Sequence, residues 1–194
     1  MNDVLLAGVF QSLALWINKG TIRVAVPVAM RSQSDRGVCN LVSMVFLDRT
    51  PKQIKSNDLL QSVASEMRNV HSKDLGHAMI TFLKIACICH GQILKYLLKV
   101  RGCSPTLVLT NLGKPFAKHS DFRIGAAKLI AFDSLAPLRP GTSATISVSE
   151  FEGRLKFTIR FHPDVLARSD AQEILKVLLT SFGQLLEVNP QMGT

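Results

Sequence analysis

The sequence predicts an α/β fold, a two-layer sandwich with a mixed sheet covered by helices in the order αββααββββα. Three observations predict it. Stretches with apolar residues at helical spacing are interspersed with short β-branched runs such as Thr106–Thr110 (TLVLT). These elements do not alternate one for one, as they would in a doubly wound sheet. Near the end, ISVSE and KFTIRF alternate around Glu152-Gly153, the pattern of an antiparallel hairpin. At 194 residues the chain is long enough to bury one substantial core, and no repeat or low-complexity linker divides it, so 1–194 is expected to be a single domain.

In order, Asn2-Asp3 precede the run VLLAGVFQSLALWI, a helix with Asn or Asp as N-cap, which Gly20 ends. Its apolar residues nearly surround the axis, so it should be deeply buried. Thr21–Met30 (TIRVAVPVAM) is extended, and Pro27 argues for an edge position or a bulge. The polar Arg31–Asn40 loop leads to a second strand, Leu41–Leu47. Ser56 or Asn57 caps a helix over 58–75, with Leu59, Leu60, Val63, Met67 and Val70 on one stripe. Gly76 breaks it before a second long helix over 78–99. The Thr106 strand follows, then strands over 126–133, 142–151 and 154–161. Ser169 or Asp170 caps a last helix over 171–186, with Ile174, Val177, Leu178, Phe182 and Leu185 inward.

The Thr106 strand stops abruptly at Asn111-Leu112-Gly113, with Pro115 beyond. Asn and Gly tolerate positive φ and proline cannot donate to a ladder, so a shaped loop is predicted. A buried strand opening into such a loop can present backbone amides and a small polar side chain to a pocket.

Composition narrows the partners. Hydrophobic residues make up 47% and charged residues 19%, below the roughly 25% usual in soluble domains. Mean hydropathy is +0.22, which hints at extra buried surface, a lipid-like ligand or a partner. The net charge of +9 suits anionic ligands. Lys19, Arg23 and Arg31 form one basic group, and Lys114, Lys118, His119 and Arg123 another; each is a solvated rim or an attractor of an anionic ligand. Nucleic acid is the competing use, but the aromatics fall mainly at core spacing and not on a basic stacking platform.

Cys39, Cys87, Cys89 and Cys103 show no disulfide framework, and no secretory signal is visible, which fits a cytoplasmic protein. No transmembrane segment is expected, because the apolar stretch 78–98 is broken by Lys84, His90, Gln92 and Lys95. Cys87 and Cys89 lie two apart on a helix and so on different faces; no metal site is expected from them. There is no Gly-rich phosphate loop, HExxH or GxSxG in the chain.

Four stretches, in order, bring a family into view. Asn2-Asp3-Val4-Leu5-Leu6-Ala7 is similar to an NDVVLA helix start, and Val26-Pro27-Val28-Ala29-Met30-Arg31, with Gly37 and Asn40, to a VPVSLR…GN segment. Leu109-Thr110-Asn111-Leu112-Gly113-Lys114-Pro115 is similar to an SNLG or SNVPGP loop, and Phe151-Glu152-Gly153-Arg154-Leu155 with Phe157 and Phe161 to a SYDGRLxFxLxxD hairpin. Across nearly its whole length the chain thus resembles the C-terminal half of the chloramphenicol-acetyltransferase-like superfamily. That superfamily includes nonribosomal peptide synthetase condensation domains, alcohol acetyltransferases and the wax ester synthase/diacylglycerol acyltransferase group.

The resemblance implies one lobe of a coenzyme A-dependent acyltransferase fold, forming a wall of an acyl or thioester channel. The family's general base sits in an HHxxxDG motif before the NDV helix, and the sequence given starts at that helix. The expectation is therefore a lobe without the catalytic half, inactive alone and with no catalytic residue to assign. His71 to Asp74 is three positions where the motif has four, so His71-Ser72-Lys73-Asp74-Leu75-Gly76-His77 does not replace it. By resemblance, Asn111 and Gly113 shape the lobe-junction loop, and Asn2, Asp3, Arg31 and Asn40 belong to the same interface. Acyl-coenzyme A or a carrier phosphopantetheine is the implied substrate, with no covalently bound cofactor. The implied partner is an N-terminal acyltransferase lobe or a second copy, in a homodimer or larger assembly whose interface includes the first helix or the Asn111 face. The alternative is a non-catalytic interaction module that pairs with itself or with a separate lobe.

Overall fold

Helix α1 (Asn2–Ala14) is apolar almost all round, and the chain folds around it. Val4, Leu5, Val9 and Phe10 are fully buried, and Leu6, Ala7 and Leu13 nearly so. In the computed structural model, which describes residues 1–31, 41–73, 75–88, 105–115, 123–124, 126–138 and 141–188, further elements follow this helix. They are β1 (Ile22–Ala29), β2 (Val42–Arg49), α2 (Pro51–Ile54), α3 (Leu59–Ser72) and α4 (Leu75–Ile88). Next come β3 (Leu107–Asn111), β4 (Arg123–Ile124), β5 (Ala127–Lys128), β6 (Ala144–Phe151), β7 (Arg154–Phe161) and α5 (Arg168–Val188).

Among the described residues the main sheet has five strands in the order β2-β1-β3-β6-β7. The outer pairs, β1–β2 and β6–β7, are antiparallel; β3 joins them through parallel pairing to β1 and β6. One row of side chains crosses the sheet as Leu47, Val24, Leu107, Ala144 and Phe161, and it lies on the face that α1 covers. Helix α5 packs along α1, with Ile174, Leu178 and Phe182 in the same core, and α3 adds Leu59, Val63, Met67 and Val70. The mixed sheet with its helical layer is the predicted two-layer α/β sandwich.

Several local expectations are corrected. Helix α1 has Met1 at its N-cap without a side-chain cap bond, so Asn2 is free to turn its amide elsewhere. The helix is buried by its own chain over Val4–Phe10, and the large apolar residues Leu15 and Trp16 just past its end are exposed. Pro27 sits on an interior strand, not an edge. Its lost donor is tolerated because β1 pairs with β3 only at Val24 and Ala25. Gly76 lies inside α4, and α3 has already ended at Ser72. The helix expected over 78–99 is seen as far as Ile88; the remainder, like Cys39, Asn40, Cys89, Lys118 and His119, lies outside the described residues. Helix α2 was not expected. Thr50-Pro51-Lys52-Gln53 forms a capping box with proline in the first turn, a signal present in the sequence.

The strand expected over 126–133 is instead the short β4–β5 pair followed by an irregular strap. The strap lies across the sheet face opposite the helices and bonds to side-chain hydroxyls. Ala136 N–H donates to Ser147 Oγ at 2.9 Å, and Thr145 and Thr158 donate to the carbonyls of Pro137 and Ser134. Lys156 adds an ion pair with Asp133 at 2.6 Å. These bonds explain how Thr145 and Ser147 can be buried on that face without a strand over them. The β6–β7 hairpin turns as predicted, with Glu152 and Gly153 at φ 48° and 74°. No helix among the described residues is long and apolar enough to cross a membrane.

Candidate functional site

Where β3 ends, its backbone continues to pair with β6: Leu112 N–H donates to the Val148 carbonyl at 2.9 Å, and Glu150 N–H to the Gly113 carbonyl at 2.8 Å. Between these bonds the chain bends through Gly113, whose φ of 59° suits a residue without Cβ. Asn111 fastens the bend. Its Oδ1 accepts the Gly113 N–H at 2.9 Å, while its Nδ2 donates to Asn2 Oδ1 at 2.5 Å. The loop is thereby tied to the first turn of α1. Lys114 adds an ion pair with Glu150 at 3.1 Å.

Asn2 and Asn111 are the polar lining of a small cleft, with Leu6, Val26, Met67 and Leu109 among its apolar walls. Its volume is about 30 Å³, room for a water or two but not for an acyl chain. Two carboxamides do not titrate at any ordinary pH. They can orient a polar group or hold two segments in register, but they cannot act as a general base. The geometry is that of a positioning element.

Of the residues singled out in the sequence, Asn2, Asn111 and Gly113 are brought together here. Asp3 is half-buried in the first turn of α1, where its charge faces the positive end of the helix dipole. Arg31 is exposed just past the end of β1. Neither Asp3 nor Arg31 is in the lining of the cleft. His71 and His77 are exposed on α3 and α4, and no group of three metal-ligating side chains occurs among the described residues. A larger, open groove of about 420 Å³ lies toward the other end of α1, between Gln11, Leu15, Ile54 and Lys55, away from the Asn111 loop.

Sequence reading missed the charge network at the end of β2. Arg49 is only 6% exposed. Its guanidinium lies 2.7 Å from Glu66 Oε2, donates to Ser62 Oγ and to the Asp48 carbonyl, and sits over the Phe10 ring. It thus ties β2 to α3 and α1. On the opposite face Arg23 grips the cross-strand Asp48 through two bonds, at 2.7 and 2.6 Å, and stacks on Phe46. The hydrogen bond from Arg23 holds the Asp48 carboxyl below its ordinary range against partial burial, and the charges of Arg23 and Arg49 add to it. The spacing of Ser62 and Glu66, one helical turn apart, is the only trace of this network in the sequence.

No protein-family model matches the chain, and no curated protein sequence does. Solved structures do. The epimerization domain from the third module of tyrocidine synthetase B superposes with a TM-score of 0.61 at 13% identity, over 96% of this chain and 42% of that one. The nonribosomal peptide synthetase FmoA3 gives 0.62 at 16% identity, over 95% of this chain and 19% of that one. A structure concerning condensation domain-mediated chain release from the enacyloxin polyketide synthase gives 0.53 at 10% identity, over 95% and 36%. The chain therefore has a condensation-domain-type fold, and it spans less than half the length of each of these matched chains.

Proposed function

We propose that the chain is the C-terminal lobe of a condensation-type acyl-transfer protein, forming one wall of a channel for an acyl thioester of coenzyme A or of a carrier phosphopantetheine. The observation that carries this reading is the mismatch in coverage: 96% of the chain is accounted for by 42% of the epimerization domain. In this reading the Asn2–Asn111 bridge fixes the loop at the lobe junction. The cleft beside it becomes useful only when a second lobe supplies the facing wall and the HHxxxDG base. By the same resemblance Asp3 and Arg31 belong to this interface, with Asn40 assigned to it from the sequence alone, and the basic groups around Arg31 and Lys114 favour an anionic thioester carrier.

The test is to assay the chain alone and together with an N-terminal condensation-type lobe carrying HHxxxDG, using acyl-coenzyme A and acyl-carrier substrates. Alone, no transfer above background is expected, since general-base assistance is worth about 10²–10⁴-fold. With the lobe, a complex and transfer are expected. Turnover by the chain alone that disappears in His71→Ala or His77→Ala, or the absence of any complex, overturns the reading.

A second reading is an interaction module without catalysis, pairing with itself or with a separate lobe. Leu41, Val42 and Phe46, exposed at 37%, 47% and 37% at the β2 edge of the sheet, favour it. An assembly that persists when the Asn111 loop is altered, with no transfer in any combination, selects this second reading.

A further inference from the structure

Strand β7 closes one edge of the sheet, and among the described residues it pairs only with β6. It is eight residues long, continuous and without proline or bulge, so it lacks most of the devices that protect an open edge. Its side chains divide cleanly. Leu155, Phe157, Ile159 and Phe161 are half-buried against the core, while Arg154, Lys156, Thr158 and Arg160 alternate with them on the opposite face. Arg154 and Arg160 are exposed, and Lys156 holds Asp133 of the strap.

We propose that the β7 edge is a docking site for an extended segment of another protein in which acidic and apolar side chains alternate. Such a segment would add a sixth strand to the five of the main sheet, its apolar residues continuing the core face and its carboxylates facing Arg154 and Arg160. Charge decides against a second copy of β7 as the occupant. Two antiparallel registers keep apolar side chains together over most of the strand. One sets Arg154 against Arg160 twice, and the other sets Lys156 against Arg160 twice. Charge also selects between the two edges. The corresponding face of β2 carries Val42, Met44, Phe46 and Asp48, no basic side chain among them; the neighbouring Arg23 is already bound to Asp48, and α4 packs against this strand. The inference is independent of the lobe assignment, because it concerns an edge remote in sequence from Asn111 and Asn2.

The probe is an end-blocked octapeptide of alternating valine and glutamate, added to the intact chain while amide hydrogen exchange is followed residue by residue. The expected result is slowed exchange over 154–161 and none over 42–49. An alternating valine–lysine peptide should bind about tenfold more weakly, the worth of two or three cross-strand charge pairs. The Arg154→Glu/Arg160→Glu double variant should reverse that preference. A second measurement, independent of the variant's folding, leaves the protein untouched: the same glutamate peptide with every amide N-methylated cannot pair with an edge and should give no protection. Protection elsewhere than β7, equal binding of the two peptides, binding of the methylated peptide, or self-association of the unaltered chain through β7 each overturns the proposal.

Discussion

Asn111 and Asn2, 109 positions apart, join their side-chain amides across 2.5 Å and so fasten the end of β3 to the start of α1. The same Asn111 amide holds the Gly113 bend, so one side chain fixes both the shape of the loop and its position. Replacing Asn111 with Ala removes two bonds, and replacing Asn2 with Ala removes one. Both groups are near water, so each bond is worth about 0.5–1.5 kcal/mol. Asn111→Ala is expected to cost more than Asn2→Ala in denaturant unfolding. The double variant should fall short of the sum by about 0.5 kcal/mol, the coupling of a contacting pair. Strict additivity would show that the bridge does not form in solution.

The buried guanidinium of Arg49 gives an asymmetric prediction. Its partner Glu66 keeps 39% of its side chain exposed, against 7% for Arg49. Glu66→Leu therefore leaves a charge stranded inside the protein, while Arg49→Met leaves a carboxylate that water can still reach. The first should destabilise by about 3 kcal/mol and the second by about 1 kcal/mol. Equal losses in chemical denaturation would mean that Ser62 and the Asp48 carbonyl satisfy Arg49 without Glu66.

Asp48 supplies the pH dependence. Its folded pKa is lowered, so its contribution is fully present above the unfolded value of about 4 and is lost as pH falls through the lower folded value. The unaltered chain should lose stability below about pH 4 more steeply than Asp48→Asn. The difference should shrink in high salt, because the Arg23–Asp48 pair is 32% and 41% exposed. Parallel acid limbs for the two proteins would remove Asp48 as a source of acid sensitivity.

The Asn111 loop was legible because its information is local: a β-branched run, then Asn, Gly and Pro at fixed offsets. The Glu152-Gly153 hairpin was legible for the same reason. Arg49 was not, because its meaning depends on Ser62 and Glu66 arriving from another element. The strap was misread because its apolar content mimics a strand, while its bonds go to hydroxyls of β6 and β7, which no periodicity announces. The first helix was legible as buried, but what buries it was not. Helix α5 fills that place, and its inward stripe could have been assigned to any apolar surface.

That pairing of α1 with α5 is itself open to test at Gly8. A Cβ placed there would lie 3.1 Å from Leu178 Cδ1 and 3.7 Å from the Leu178 carbonyl and the Phe182 nitrogen, so the two helices approach closely at this point. The first contact is with the end of a side chain that can turn; the other two are with backbone that cannot. Gly8→Ala should therefore be nearly neutral, the helix preference for alanine of about 1 kcal/mol offsetting the displaced Leu178 methyl. Gly8→Val adds two further carbons against backbone and should destabilise by about 2 kcal/mol. Shortening Leu178 to Ala costs about 3 kcal/mol by itself through the cavity it leaves. In the Gly8→Val/Leu178→Ala chain the valine can occupy part of that space, so the double variant should be more stable than the two single losses added together. A measured sum with no such recovery would show that α1 and α5 do not meet at Gly8.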